Sequence, residues 1–144
     1  MPSQIKVDEI KNVAGQYEIK TNTFKGQTTA GSIAVQGEGT NTTNLQQGLL
    51  KVWIAVNQDG TMATLDSFNI ASITDDGTGK TDTNFTTNMS SANYFNSVSA
   101  GNSNNRNAMF FSPSTTQQQI EVHSLSPSDA DSTYVCGGVA GDLA

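Results

Sequence analysis

Strand-length segments recur about every ten residues along this chain, each closed by Gly, Asn, Asp or Pro, and no stretch sustains a 3.6-residue apolar period. That spacing predicts an all-β protein with almost no helix: a sandwich or barrel of short antiparallel strands. In the first third, residues 5–8, 16–22 and 32–36 are short candidate strands separated by polar, Gly-broken stretches. From residue 49 the apolar density rises. Leu50, Val52, Ile54 and Val56 fall on one face of a strand, and Leu49, Lys51, Trp53 and Ala55 on the other. Both faces are largely apolar, so the strand is expected to be covered on both sides. Residues 68–74, Phe85, and residues 94–98, 109–111, 118–125 and 133–140 bring the number of strands to about seven.

Composition limits what such a chain can do. Ser, Thr, Asn and Gln make up 57 of the 144 residues, whereas charged residues are only 14%, so charge repulsion does not hold the chain open. The net charge is −6 with only seven Lys and Arg, which leaves no basic stripe for nucleic acid. No apolar run reaches the ~20 residues of a membrane span, and no secretory leader is expected. A single Cys136 and a single His123 supply neither an intrachain disulfide nor a multi-ligand metal cage. No cofactor is expected.

Two parts are expected. Residues 1–48 hold one Phe, one Tyr and no Trp and look like an extended β arm and linker, with Asn44 capping a brief helical turn over residues 45–48. Residues 49–144 form the antiparallel sandwich. Gly101 to Asn107, with four Asn, looks like a polar surface tip.

Several motifs bear on chemistry. Gly77-Thr78-Gly79-Lys80-Thr81 resembles the end of a phosphate loop, but the first Gly of that pattern would fall on Thr74 and strand follows, so a hairpin turn is expected. Asp75, Asp76 and Asp82 lack the closing Glu of a calcium loop and are expected as solvated turn carboxylates. His123 lies on a polar strand face with no partner marked in the sequence, and Glu121 with Asp129 or Asp131 is not marked as an acid pair. The chain is therefore read as a non-enzyme. Trp53, Tyr94, Tyr134 and Phe111 are expected in the core or a subunit interface rather than stacking on sugars. Cys136 is expected as a small buried residue.

The opening Ser3-Gln4-Ile5-Lys6-Val7-Asp8-Glu9-Ile10 resembles the N-terminus of tail-fibre-like proteins of marine bacteriophages. Thr43-Asn44-Leu45-Gln46-Gln47-Gly48-Leu49-Leu50-Lys51-Val52-Trp53 is similar to the entry into their distal β-module. Further likenesses are Asp66-Ser67-Phe68-Asn69, Ile73-Thr74-Asp75-Asp76-Gly77-Thr78-Gly79, Asn84-Phe85, Ala92-Asn93-Tyr94 and the ending Gly141-Asp142-Leu143-Ala144. Asp82 departs from the apolar residue usual two before the Asn-Phe pair. Residues 101–132 match poorly, so a variable surface loop is expected there.

The resemblance implies a virion structural protein, made in the host bacterial cytoplasm: a short trimeric tail-fibre-type appendage. Alternatives are a capsid decoration (cement or head-fibre) protein and a host-surface glycan-binding module. It implies no catalytic residue. Partners would be two further copies in an intertwined homotrimer, tail or capsid proteins, and in the last alternative a host glycan, with no nucleic acid and no membrane. Candidate trimer or virion contacts are Ile5, Val7, Ile10, Val13, Ile19, Ile33 and Val35 in the arm, with Leu49 and Trp53 at the start of the module. Candidate exposed-loop residues are Gly101, Asn102, Asn104, Asn105 and Arg106.

Overall fold

The structure is a computed structural model that describes residue 23 and residues 33–36, 40–101, 105–126 and 128–144. Candidate contacts Ile5, Val7, Ile10, Val13 and Ile19, and loop candidates Asn102 and Asn104, lie outside the described residues. The described chain opens with a two-stranded ribbon, β1 (Ala34–Gln36) against β2 (Thr42–Asn44), followed by one helical turn, α1 (Leu45–Gly48). The turn falls where the sequence places it. The ribbon was only half foreseen, because residues 37–48 were expected as linker.

Eight strands then build two four-stranded antiparallel sheets. They are β3 (Leu50–Asn57), β4 (Ala63–Phe68), β5 (Ile70–Asp75), β6 (Lys80–Phe85), β7 (Phe95–Gly101), β8 (Arg106–Phe111), β9 (Gln117–Ser124) and β10 (Tyr134–Ala140). The first sheet runs in the order β4-β3-β10-β7 and the second β5-β6-β9-β8. Alternation fixes which residues face inward. Val52, Ile54 and Val56 of β3 and Val135 and Val139 of β10 meet Ile120 and Val122 of β9 and Phe85 of β6, all buried. Gly137 has no side chain where Phe110 of the opposite sheet approaches: a Cβ there would lie 2.7 Å from the Phe110 ring tip.

Two irregularities redirect side chains. Opposite Val139 and Ala140, β3 pairs through Val52 and Leu50, so Lys51 is an extra residue. A bulge of this kind turns the side chains before it to the other face. Leu50 therefore lies over the outer side of the first sheet with Trp53, not beside Val52 as alternation alone suggested. At the corner between β4 and β5, Asn69 takes a φ of 59°, accepts the Thr87 N–H at 2.7 Å and donates to the Thr87 carbonyl at 3.1 Å. Asn tolerates this left-handed backbone better than most residues. It cuts the strand expected over residues 68–74 into parts of two sheets.

The polar composition enters the interior of the second sheet, where Thr81, Thr83 and Gln118 are buried. Thr81 accepts from Gln58 Nε2 at 3.0 Å, and Thr83 donates to the Gln118 carbonyl at 2.9 Å. The Gln118 Oε1 atom is buried without a hydrogen-bond partner. An orphaned buried acceptor costs ~1–3 kcal/mol of desolvation. Gln118→Met, which keeps the length and removes the acceptor, is expected to leave stability unchanged or raise it by ~1 kcal/mol, read from the thermal midpoint.

Residues 101–132 are not a variable loop. They carry β8 and β9, including the fully buried Ile120 and Val122. Both strands lie where the sequence places them, over residues 109–111 and 118–125, and β8 begins three residues earlier.

Candidate functional site

The outer face of the β4-β3-β10-β7 sheet is apolar, and none of the described residues covers it. By register, Trp53 and Ala55 of β3 lie beside Gly138 and Cys136 of β10, which lie beside Ser97 and Ser99 of β7; Phe68 of β4 flanks Trp53. Together with Leu50, Phe95 and Tyr134 they border an open groove of about 450 Å3. Phe95 is 67% exposed, Leu50 55%, Phe68 53% and Tyr134 42%. Isolated exposed hydrophobics are ordinary, but a contiguous set on one face marks an interaction surface. The only formal charge on this face among the described residues is Asp66, whose carboxylate accepts the Ser67 N–H.

Trp53 is accordingly not a core residue: its ring is half-buried on the outer side, while its neighbours Val52 and Ile54 point inward. Leu49 is more than half exposed at the entry to β3. The two-sided cover expected for residues 49–56 is present on one side of the described chain. Cys136 also lies on the outer side, half-buried, with Sγ 3.3 Å from Ser99 Oγ, not in the core. Tyr134 and Phe111 are surface residues as well. Tyr94 is the one of the four aromatics that joins the interior. It packs edge-on against Phe85 with ring centroids 6.3 Å apart, and donates its hydroxyl to the Ser114 carbonyl. Burial pushes the Tyr94 hydroxyl above its ordinary pKa.

The outer face of the second sheet is polar along β6 and β9, with Met109 and Phe111 exposed at its β8 edge. Gln119 Nε2 donates to Asp82 at 2.7 Å and to Asp76 at 3.0 Å, and Asp75 caps the Gly77 N–H. Residues 75–80 form a hairpin turn closed by Lys80 N–H to the Gly77 carbonyl, as expected from the sequence. On the same face His123 does have partners: Nδ1 lies 3.1 Å from Asp129 and Nε2 3.5 Å from Glu121, and Lys80 Nζ is 3.3 Å from the other Asp129 oxygen.

This cluster is a fastening. Asp129 and the residues after it form a strap, with Ala130 N–H donating to the Val122 carbonyl and Asp131 accepting from Gly79 N–H at 2.6 Å. The Asp131 carbonyl also accepts Arg106 Nε at 3.0 Å, and Ser132 donates to the Gly101 carbonyl at 2.8 Å. Glu121 and Asp129 are thus engaged by the imidazole between them. Partly exposed pairs of this kind contribute ~0–1 kcal/mol. His123→Ala is expected to lower stability by no more than ~1 kcal/mol, checked by denaturant titration at low and high salt.

Of the loop candidates, only Asn105 is found exposed, with a φ of 64°. Gly101 ends β7 half-buried, paired with Tyr134. Arg106 begins β8, half-buried and bonded to the strap, so it is no exposed tip. In the arm, Val35 is about half exposed, while Ile33 is half-buried and its carbonyl accepts the Leu45 N–H.

No family model, curated protein or solved structure matches the chain.

Proposed function

We propose that the protein is a structural component of a bacteriophage virion: a short self-assembling appendage, attached by its N-terminal segment, with the β-sandwich on display. The observation that carries this reading is the division of the sandwich surface, one aromatic face almost without charge and one polar face. An assembling module needs one such face to bury and another to keep in water. The likeness of residues 3–10 and 43–53 to phage tail-fibre-like proteins supports the same reading. Charge adds to it. Residues 1–36 carry four Lys against Asp8, Glu9 and Glu18, about +1, whereas the remainder carries Lys51, Lys80 and Arg106 against ten acids, about −7. A weakly positive end and an acidic body orient a docking chain, within a screening length of ~8 Å at physiological salt. The reading assigns the chain no reaction.

Antibody labelling of purified virions tests it. Label at the tail in a few copies per particle supports the appendage. Label over the head in hundreds of copies turns the assignment to capsid decoration. Particles without label refute the virion reading.

A further inference from the structure

We infer that copies of this chain pack against one another through the outer face of the β4-β3-β10-β7 sheet, with Phe95 of one copy entering the groove above Gly138 of the next. The inference deepens the self-assembly part of the reading above and names the occupant of that groove.

Three observations select a second copy. The first is area. Leu50, Phe68, Phe95 and Tyr134, each 42–67% exposed, and the half-buried Trp53 present on the order of 500 Å2 of apolar surface, taking ~200 Å2 for each large side chain. That is at the upper end for a monomer's largest patch, and most of the ~800 Å2 that one partner contributes to a stable interface. Ala55, Ser97 and Ser99 extend the patch as its rim.

The second is charge. The chain is at −6, so two copies repel wherever their acids meet. The aromatic face offers Asp66 alone, whereas the opposite face presents Asp82, Glu121 and Lys80. Like-charged copies approach at least cost through the aromatic face.

The third is shape. Gly138 sits in the central strand β10 between Trp53 and Ser97, and leaves the floor of the groove without a side chain. A Cβ there would lie 3.2 Å from Leu50 Cδ2, so the groove narrows over this glycine. Phe95 stands at the rim as its most exposed large side chain. A face that carries both a projecting ring and a slot of about 450 Å3 supplies both halves of a head-to-tail contact, the kind that closes identical copies into a ring.

The test uses the full chain at micromolar concentration, with mass from light scattering or sedimentation and the emission of Trp53, the chain's one tryptophan. Wild type should run at about three times 15.2 kDa with blue-shifted emission. Phe95→Asp should weaken association at least tenfold and shift Trp53 emission to the red, with an unchanged circular dichroism spectrum. Phe111→Asp, exposed on the other sheet, should behave as wild type. Unchanged mass in Phe95→Asp overturns the contact even if emission shifts, because Phe95 and Trp53 line the same groove of one chain. A monomeric wild type also overturns the inference. A monomeric wild type whose Trp53 emission responds to a soluble oligosaccharide overturns it in favour of sugar stacking. Because the readouts are made in solution, the inference fails or stands separately from the protein's place on a particle.

Discussion

Gly79→Ala is expected to destabilise the protein by ~3 kcal/mol or more, enough to leave a substantial unfolded fraction in a domain of ordinary stability. Gly79 is buried at the start of β6 with a φ of +73°, a backbone region that costs an L side chain ~1–3 kcal/mol. A Cβ would also lie 2.4 Å from the Val122 carbonyl oxygen and 2.8 Å from the Ala130 nitrogen. Both obstacles are backbone, so no rotamer change relieves them. Any shift must pull β9 or the strap away from the hairpin and break the Val122 N–H to Gly79 carbonyl bond. Gly60→Ala is the control. Its φ is +70°, but nothing lies within 4 Å of the added carbon, so only the backbone term of ~1–3 kcal/mol should be lost. Urea denaturation of the two variants separates steric exclusion from backbone strain. Similar losses would mean that the strap yields.

The second large effect distinguishes two neighbours in one strand. Ile54 is 2% exposed and joins Val56, Ile120, Val122 and Val135 in the main core. Ile54→Ala should cost ~2–5 kcal/mol, the removed methylenes plus the cavity left behind. Trp53→Ala, one residue away, removes a far larger side chain from the outer face. Extrapolated to the separated subunit, its loss should be ~1.5–3 kcal/mol, because the ring is only partly covered on the outer face. In the assembled state Trp53→Ala should show a concentration-dependent midpoint and weaker association, and Ile54→Ala should not. A Trp53→Ala loss as large as that of Ile54→Ala at every concentration would return Trp53 to a structural role within one chain.

This pair also shows where the sequence is silent. The alternation Val52, Ile54, Val56 announces a core face, and the structure has it. The opposite side of the same strand is equally apolar in the sequence, and composition cannot tell an interior from an uncovered exterior. The bulge at Lys51 then moves Leu50 to that exterior, a register event that depends on the pairing with β10 and has no local signature. β4 escaped recognition because Ala63–Phe68 is exposed at five of six positions and lacks alternation. The one-residue corner at Asn69 joined its end to β5. Turns were more legible, since Asp59-Gly60 and Asp76-Gly77-Thr78-Gly79 state their own geometry, with positive φ at all three glycines. Of the two partners of His123, Glu121 is its neighbour on the same strand face, but Asp129 comes from a strap six residues further on, and only the fold brings it beside β9.

The pairing of β3 with β10 bears on how the protein is made. The first and last strands of the sandwich are neighbours in the middle of one sheet, and Val52 meets Val139 across the whole length of the module. Until β10 leaves the ribosome, β3 has only β4 beside it and β7 has no partner in its own sheet. The second sheet can pair earlier, from β5 to β9, but its apolar side has no complete layer to cover it. Such distant closure slows folding and exposes strand edges while translation finishes. Loss of the last ten residues by premature termination would therefore leave the β3–β4 hairpin separated from an unpaired β7 over an open core, a nascent chain prone to aggregate rather than a shortened version of the same module.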